Sequence, residues 1–171
     1  MAEYKFITRW HIAAPIERVW DAIVDSENWS QWWNAVASVE ELEMGKADGV
    51  GNVRRFVWKT PLSYTLTFET RVIRIQTPVL LEATATGDTE GHGLWQLATT
   101  DRGTAVNYTW TVRTTQRWLN ILAAIARPLL EWNHNVIMAQ GGKGLATYLK
   151  ADLIATESAD QGTSVGSAFS N

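Results

Sequence analysis

Two stretches decide the fold: Ala14-Pro15-Ile16-Glu17-Arg18-Val19-Trp20 near one end of the chain, and His134-Asn135-Val136-Ile137-Met138-Ala139-Gln140-Gly141-Gly142-Lys143-Gly144-Leu145 near the other. In the first, proline suits the opening turn of a helix, where its missing N–H has no intrahelical partner to lose. Ile16, Val19, Trp20 and Ile23 then recur at helical spacing opposite Glu17, Arg18 and Asp21, which predicts a helix from about Pro15 to Val24. The second stretch closes a long helical region from about Gln116 to Lys150, with Pro128 expected to kink it.

Working outward, Tyr4 to Ile12 alternates, with Phe6, Thr8, Trp10 and Ile12 on one face and Lys5, Arg9 and His11 on the other. That is the pattern of a half-buried strand. Asp25-Ser26-Glu27-Asn28 breaks and recaps the chain before a second short helix around Trp29 to Trp33. Six further strands are expected, at Val36–Glu43, Gly51–Lys59, Ser63–Ile75, Val79–Thr86, Gly93–Thr99 and Thr104–Thr114, separated by Gly-, Pro- and Asp-containing turns. Connections this short imply antiparallel neighbours.

Tyr64/Leu66/Phe68/Thr70/Val72 and Val106/Tyr108/Trp110/Val112 give the clearest alternation, so one sheet face is expected dry and the other wet. A dry concave face needs a cover, and only the Gln116–Lys150 region is long enough to supply it. The fold class is therefore α+β: a curved antiparallel sheet of about seven strands, two short N-terminal helices and one long C-terminal helix over the concave face. Residues 3–150 are expected to form one domain. Beyond Leu153 the composition turns to Ala, Thr, Ser, Gly and Asp, so residues 155–171 are expected to be a disordered tail.

Composition narrows the function classes. A chain of 171 residues with a net charge of -3, its 15 basic and 18 acidic residues mixed along the sequence, has no electrostatic footprint for nucleic acid. With no cysteine, disulfides, thiolate metal ligands and cysteine nucleophiles are excluded. His11, His92 and His134 lack ligand spacing, so no metal and no cofactor are expected. The N-terminus carries no apolar run of signal length, and Arg127, Glu131 and His134 interrupt the most apolar region, so the expectation is a cytoplasmic protein without an integral membrane segment.

From about Glu3 to Lys150 the sequence resembles the START-like superfamily, also called SRPBCC or Bet v 1-like, and in particular its polyketide cyclase/dehydrase-like branch. The residues that carry the resemblance are Ala14 to Trp20; Trp29 with Trp32-Trp33; Gly93-Leu94-Trp95-Gln96-Leu97 followed by Gly103-Thr104-Ala105-Val106; and His134 with Met138, Gly141 and Gly144-Leu145. The resemblance implies the helix-grip fold. It also implies a hydrophobic ligand such as a lipid, quinone or polyketide, or catalysis of ring closure or dehydration.

His134 is the candidate catalytic residue, because it shares a helical row with Leu130, Met138, Gly141 and Leu145 and could donate to, or accept from, a ligand carbonyl. The competing reading makes it a hydrogen-bonded core group. Ligand binding is expected from Trp10, Tyr64, Phe68, Trp95, Tyr108 and Trp110, an aromatic row on the sheet, and from Leu130, His134 and Met138 of the helix that faces it across a void. Among the strand charges, Glu69, Arg71 and Arg113 are expected on the solvated face and Arg74 at the cavity rim, while either parity turns one of Arg54 and Arg55 inward. Gly141-Gly142-Lys143-Gly144 fails the phosphate-loop pattern; glycines inside a helix point instead to close approach of another element.

The preferred function is binding of a hydrophobic small molecule in an internal cavity. One alternative is a polyketide cyclase/dehydrase-type enzyme using the same cavity. Another is a partner- or membrane-docking domain using Trp118–Leu130.

Overall fold

Alternation along the first strand is realised fully: in β1 (Glu3–Ile12), Tyr4, Phe6, Thr8, Trp10 and Ile12 are buried, while Glu3, Lys5 and Arg9 are exposed. The structure is a computed structural model that describes residues 3–114 and 123–160. After β1 come helix α1 (Ile16–Val24), a 3-10 helix (Ser26–Gln31), and strands β2 (Val36–Glu43), β3 (Val53–Lys59), β4 (Thr65–Gln76), β5 (Leu80–Gly87), β6 (Thr89–Thr100) and β7 (Gly103–Thr114). Helix α2 (Ala123–Tyr148) and strand β8 (Leu153–Asp160) complete it. The strands form one curved sheet, wholly antiparallel, in the order β2-β3-β4-β5-β6-β7-β1-β8.

The sheet has eight strands where about seven are expected. The extra strand comes from residues beyond the expected domain: β8 pairs with β1 from Ile12↔Leu153 to Phe6↔Asp160. Its small side chains carry little apolar signal, but a strand added to an edge draws its stability from backbone bonds that composition does not reveal. Residues 161–171 lie outside the described residues, as does the expected start of the long helix near Gln116.

A second departure concerns Arg74. The β4–β5 register shifts between Val72 and Arg74, and a bulge of this kind reverses the alternation beyond it. Ile75 therefore packs against the core, and Arg74 turns away from the interior to meet Glu82 at 2.6 Å instead of standing at a cavity rim.

Helix α2 lies against a floor of tryptophans, and its glycines explain how. A Cβ at Gly141 would collide with the Trp33 ring, one at Gly142 would stand 2.9 Å from the Trp10 ring, and one at Gly144 would collide with the Trp32 carbonyl oxygen. The Trp33 indole N–H donates to the Ile137 carbonyl at 2.8 Å. At the far end of α2, the Arg18 guanidinium donates to the Leu149 carbonyl at 2.7 Å, placing a cation where the helix dipole favours one. Pro128 sits inside α2 and removes the bond its N–H would have given the Ala124 carbonyl.

Candidate functional site

The interior is not filled evenly. Around the C-terminal half of α2, Trp10, Trp29, Trp32, Trp33 and Trp95 interlock with ring centroids 5.2 to 6.0 Å apart. Under its N-terminal and middle turns, Leu130, Asn133, His134, Ile137 and Met138 face Tyr4 and Phe6 of β1, Phe68 of β4, and Tyr108, Trp110 and Val112 of β7 across a cavity of about 150 Å³. An apolar void of about that size accommodates one benzene ring.

Seven of the nine residues expected at the site line this cavity: Tyr64, Phe68, Tyr108, Trp110, Leu130, His134 and Met138. Trp10 and Trp95 do not. Trp10 is 2 % exposed, wedged between Gly142 and the rings of Trp33 and Trp95, and Trp95 stacks on Tyr108 with centroids 4.0 Å apart. Trp10 shares a face with Phe6, but four residues of strand separate them by about 13 Å, so one face serves both the packed end and the open end.

Tyr4, Phe6, Trp58, Leu66, Thr89, Val112, Asn133 and Ile137 also line the cavity and were not anticipated. For Asn133 and Ile137 the signal was present. An interior helix face repeats at both three and four residues, and the row from Leu130 through His134 to Met138 steps by four and so omits Asn133 and Ile137.

Among the described residues, the lining is apolar with a few polar groups and no basic side chain other than His134. Burial alone pushes the Tyr108 phenol well above its ordinary 10.0, and burial also raises Tyr64, partly offset by a hydrogen bond with Thr60. Both phenols are thus neutral donors at physiological pH. The Tyr4 hydroxyl, the Trp58 indole N–H and the Asn133 Oδ1 are buried with no hydrogen-bond partner among the described residues. His134 lies flat on Phe6, with centroids 4.4 Å apart and planes 17° from parallel. The carboxylate in the lining, Asp88, accepts the Thr67 backbone N–H at 2.8 Å.

The strand arginines lie elsewhere. Arg54 is the inward member of its pair, but its guanidinium donates to the Val24 carbonyl at 2.9 Å and to Ser26 Oγ at 2.8 Å, tying β3 to the α1 corner. Arg55 points outward to Glu69 at 2.8 Å. On the outer face Glu82 takes both Arg74 and His92 Nε2 at 2.6 Å. Of the stretch Trp118–Leu130, residues 118–122 lie outside the described residues; Leu129 is exposed and Leu130 turns into the cavity. Among the described residues no helix is long and apolar enough to cross a membrane, and no group of three His, Asp or Glu could hold a metal ion.

Residues 5–150 match the sequence model of the family described as polyketide cyclase / dehydrase and lipid transport. No protein of curated function matches the sequence significantly. Among solved structures, the fold is similar to the di-domain ARO/CYC BexL from the BE-7585A biosynthetic pathway (TM-score 0.71, 18% identity), with 88% of this chain covering 51% of that one. It is also similar to a protein from Thermus thermophilus (TM-score 0.67, 19% identity, 86% of this chain and 99% of that one). A third similar structure is Ara h 8.0201 (TM-score 0.58, 15% identity, 87% and 99%).

Proposed function

Because this chain belongs to the polyketide cyclase/dehydrase and lipid transport family, we propose that it binds an uncharged hydrophobic small molecule, carrying an aromatic or quinone-like ring, between α2 and the sheet. The observation that carries this reading is the 150 Å³ void itself, walled by Phe6, Phe68, Tyr108, Trp110, Leu130 and Met138. Apolar contact supplies the affinity, at roughly 25 cal/mol per Å² removed from water. The neutral Tyr108 hydroxyl and the His134 ring orient oxygen atoms on the ligand. Among the described residues the lining has no lysine or arginine, so those residues give a carboxylate or phosphate nothing to replace its water.

Native mass spectrometry of protein purified from its own host tests the reading. A co-purifying neutral, hydrophobic compound at one per chain supports it. Protein free of any ligand that also fails to take up phenol or a simple quinone contradicts it.

The second reading is a cyclase or dehydrase acting in the same cavity. It is favoured by the placement of His134 on the helix wall and the protonated Tyr108 phenol on the sheet wall, groups that could assist enolisation or loss of water. Under that reading His134→Ala lowers turnover far more than affinity; under simple binding it changes affinity alone.

A further inference from the structure

A second void of about 90 Å³ lies on the α1 side of the same interior, lined in part by Ile23, Trp29, Phe56, Leu81, Gly93 and Trp95. Four side chains, Trp58, Phe68, Tyr108 and Trp110, line both voids and so form the wall between them. The wall is made of ring contacts: Phe68 lies 6.0 Å from Trp110, and Tyr108 stacks on Trp110 at 6.3 Å. Gly93 makes room for it, since a Cβ there would stand 3.1 Å from the Tyr108 hydroxyl and 3.3 Å from the Trp110 ring.

We infer that this aromatic partition is the specificity determinant of the site, restricting the first chamber to a single ring, and that the second chamber is a latent subsite for the far ring of a fused two-ring ligand. The inference rests on the binding reading above. The second chamber takes a ring in preference to a free anion: Arg54 is paired with Glu41 at 3.5 Å and donates to Val24 and Ser26, with only its buried Nε lacking a partner among the described residues, and the Asn52 amide donates to Glu41 Oε2 and to the carbonyls of Glu43 and Met44. Phe68 is the member whose removal joins the chambers with least damage. Its ring packs on Phe56 and Trp110 but carries no polar atom, whereas Trp58, Tyr108 and Trp110 each carry an N–H or O–H donor whose removal would also change the polarity of the lining.

The test is calorimetric titration of the full chain with phenol and 1-naphthol, in wild type, Phe68→Ala, Phe68→Leu and Phe68→Ala/Gly93→Ala. Phe68→Leu guards against failure of the alanine variant to fold. The expected result is a rise of roughly tenfold or more in the ratio of 1-naphthol to phenol affinity for Phe68→Ala and a smaller rise for Phe68→Leu, phenol itself losing its contact with the Phe68 ring. Adding Gly93→Ala puts a methyl beside the Tyr108 and Trp110 rings, narrows the second chamber and is expected to reverse the gain. Equal changes for both probes, or a gain that survives Gly93→Ala, overturn the partition while leaving ligand binding intact. If neither probe binds any variant, the binding reading fails. The partition is then judged by xenon-pressurised crystals, where two separate xenon sites in wild type and one continuous site in Phe68→Ala are expected. Xenon sites that stay separate in the variant overturn it.

Discussion

Tyr4 and Tyr108 carry hydroxyls in the same apolar surroundings, and each predicts a measurable consequence. The Tyr4 hydroxyl is buried without a partner among the described residues, and such a group costs about 1–3 kcal/mol in lost hydration. Tyr4→Phe is therefore expected to leave thermal stability unchanged or raise it by about 1 kcal/mol, read as a rise in Tm. A clear loss of stability would mean that the hydroxyl is satisfied. For Tyr108, burial raises the phenol above its ordinary 10.0. The unfolded chain releases this proton first as pH climbs, so the stability linked to it is complete below pH 10.0 and declines above it. Denaturant titrations of wild type against Tyr108→Phe should show that alkaline decline in wild type and less of it in the variant. On the outer face, desolvation pushes the Glu82 carboxyl up, but hydrogen bonds and charge from His92 and Arg74 outweigh it and hold it below 4.5. Stability linked to Glu82 is present above 4.5 and is lost as pH falls from there, a dependence that Glu82→Gln should reduce.

At the scale of elements, the tightest constraint is α2 against the segment Trp29–Trp33. Gly144 faces backbone, the Trp32 carbonyl, whereas Gly142 faces a side chain, the Trp10 ring. Backbone cannot rotate away, so Gly144→Ala is expected to destabilise by roughly 3 kcal/mol or more and Gly142→Ala by less, in chemical denaturation. Equal effects would contradict this account of the glycines. Most elements were legible in the sequence because each has a strong local signal: the Pro15 helix start, the alternation of β1 and β7, and the turn residues between strands. What escaped had no local signal. The bulge after Val72, which turns Arg74 outward, and the pairing of β8 with β1 are both set by neighbouring strands. The same reasoning explains the site. Parity placed Trp10 and Phe68 on the inner face, but which inner residues meet a void depends on how far α2 sinks at each turn. That depth is set by glycines at one end and by Leu130, His134 and Met138 at the other.

Over the whole molecule, the two halves of α2 do different work. Its glycine-bearing half anchors the fold on a packed tryptophan floor, and its N-terminal half spans a void that a rigid sheet holds open. An empty apolar cavity forfeits dispersion contacts along its lining, so a ligand that fills it recovers them without repacking the anchored end. Binding in this arrangement is expected to shift stability by mass action, with Tm rising as phenol is added. The resemblance read from Ala14–Trp20 and His134–Leu145 supplied the architecture; the location and size of the void came only with the packing.

The most direct test fills the void from the sheet side. Val112 is 8 % exposed and lines the cavity, so Val112→Phe places a ring where the ligand ring is proposed to lie. Calorimetric titration with phenol should give binding with a negative heat-capacity change in wild type and none in a folded Val112→Phe variant. Phenol binding that persists unchanged in that variant would contradict the account.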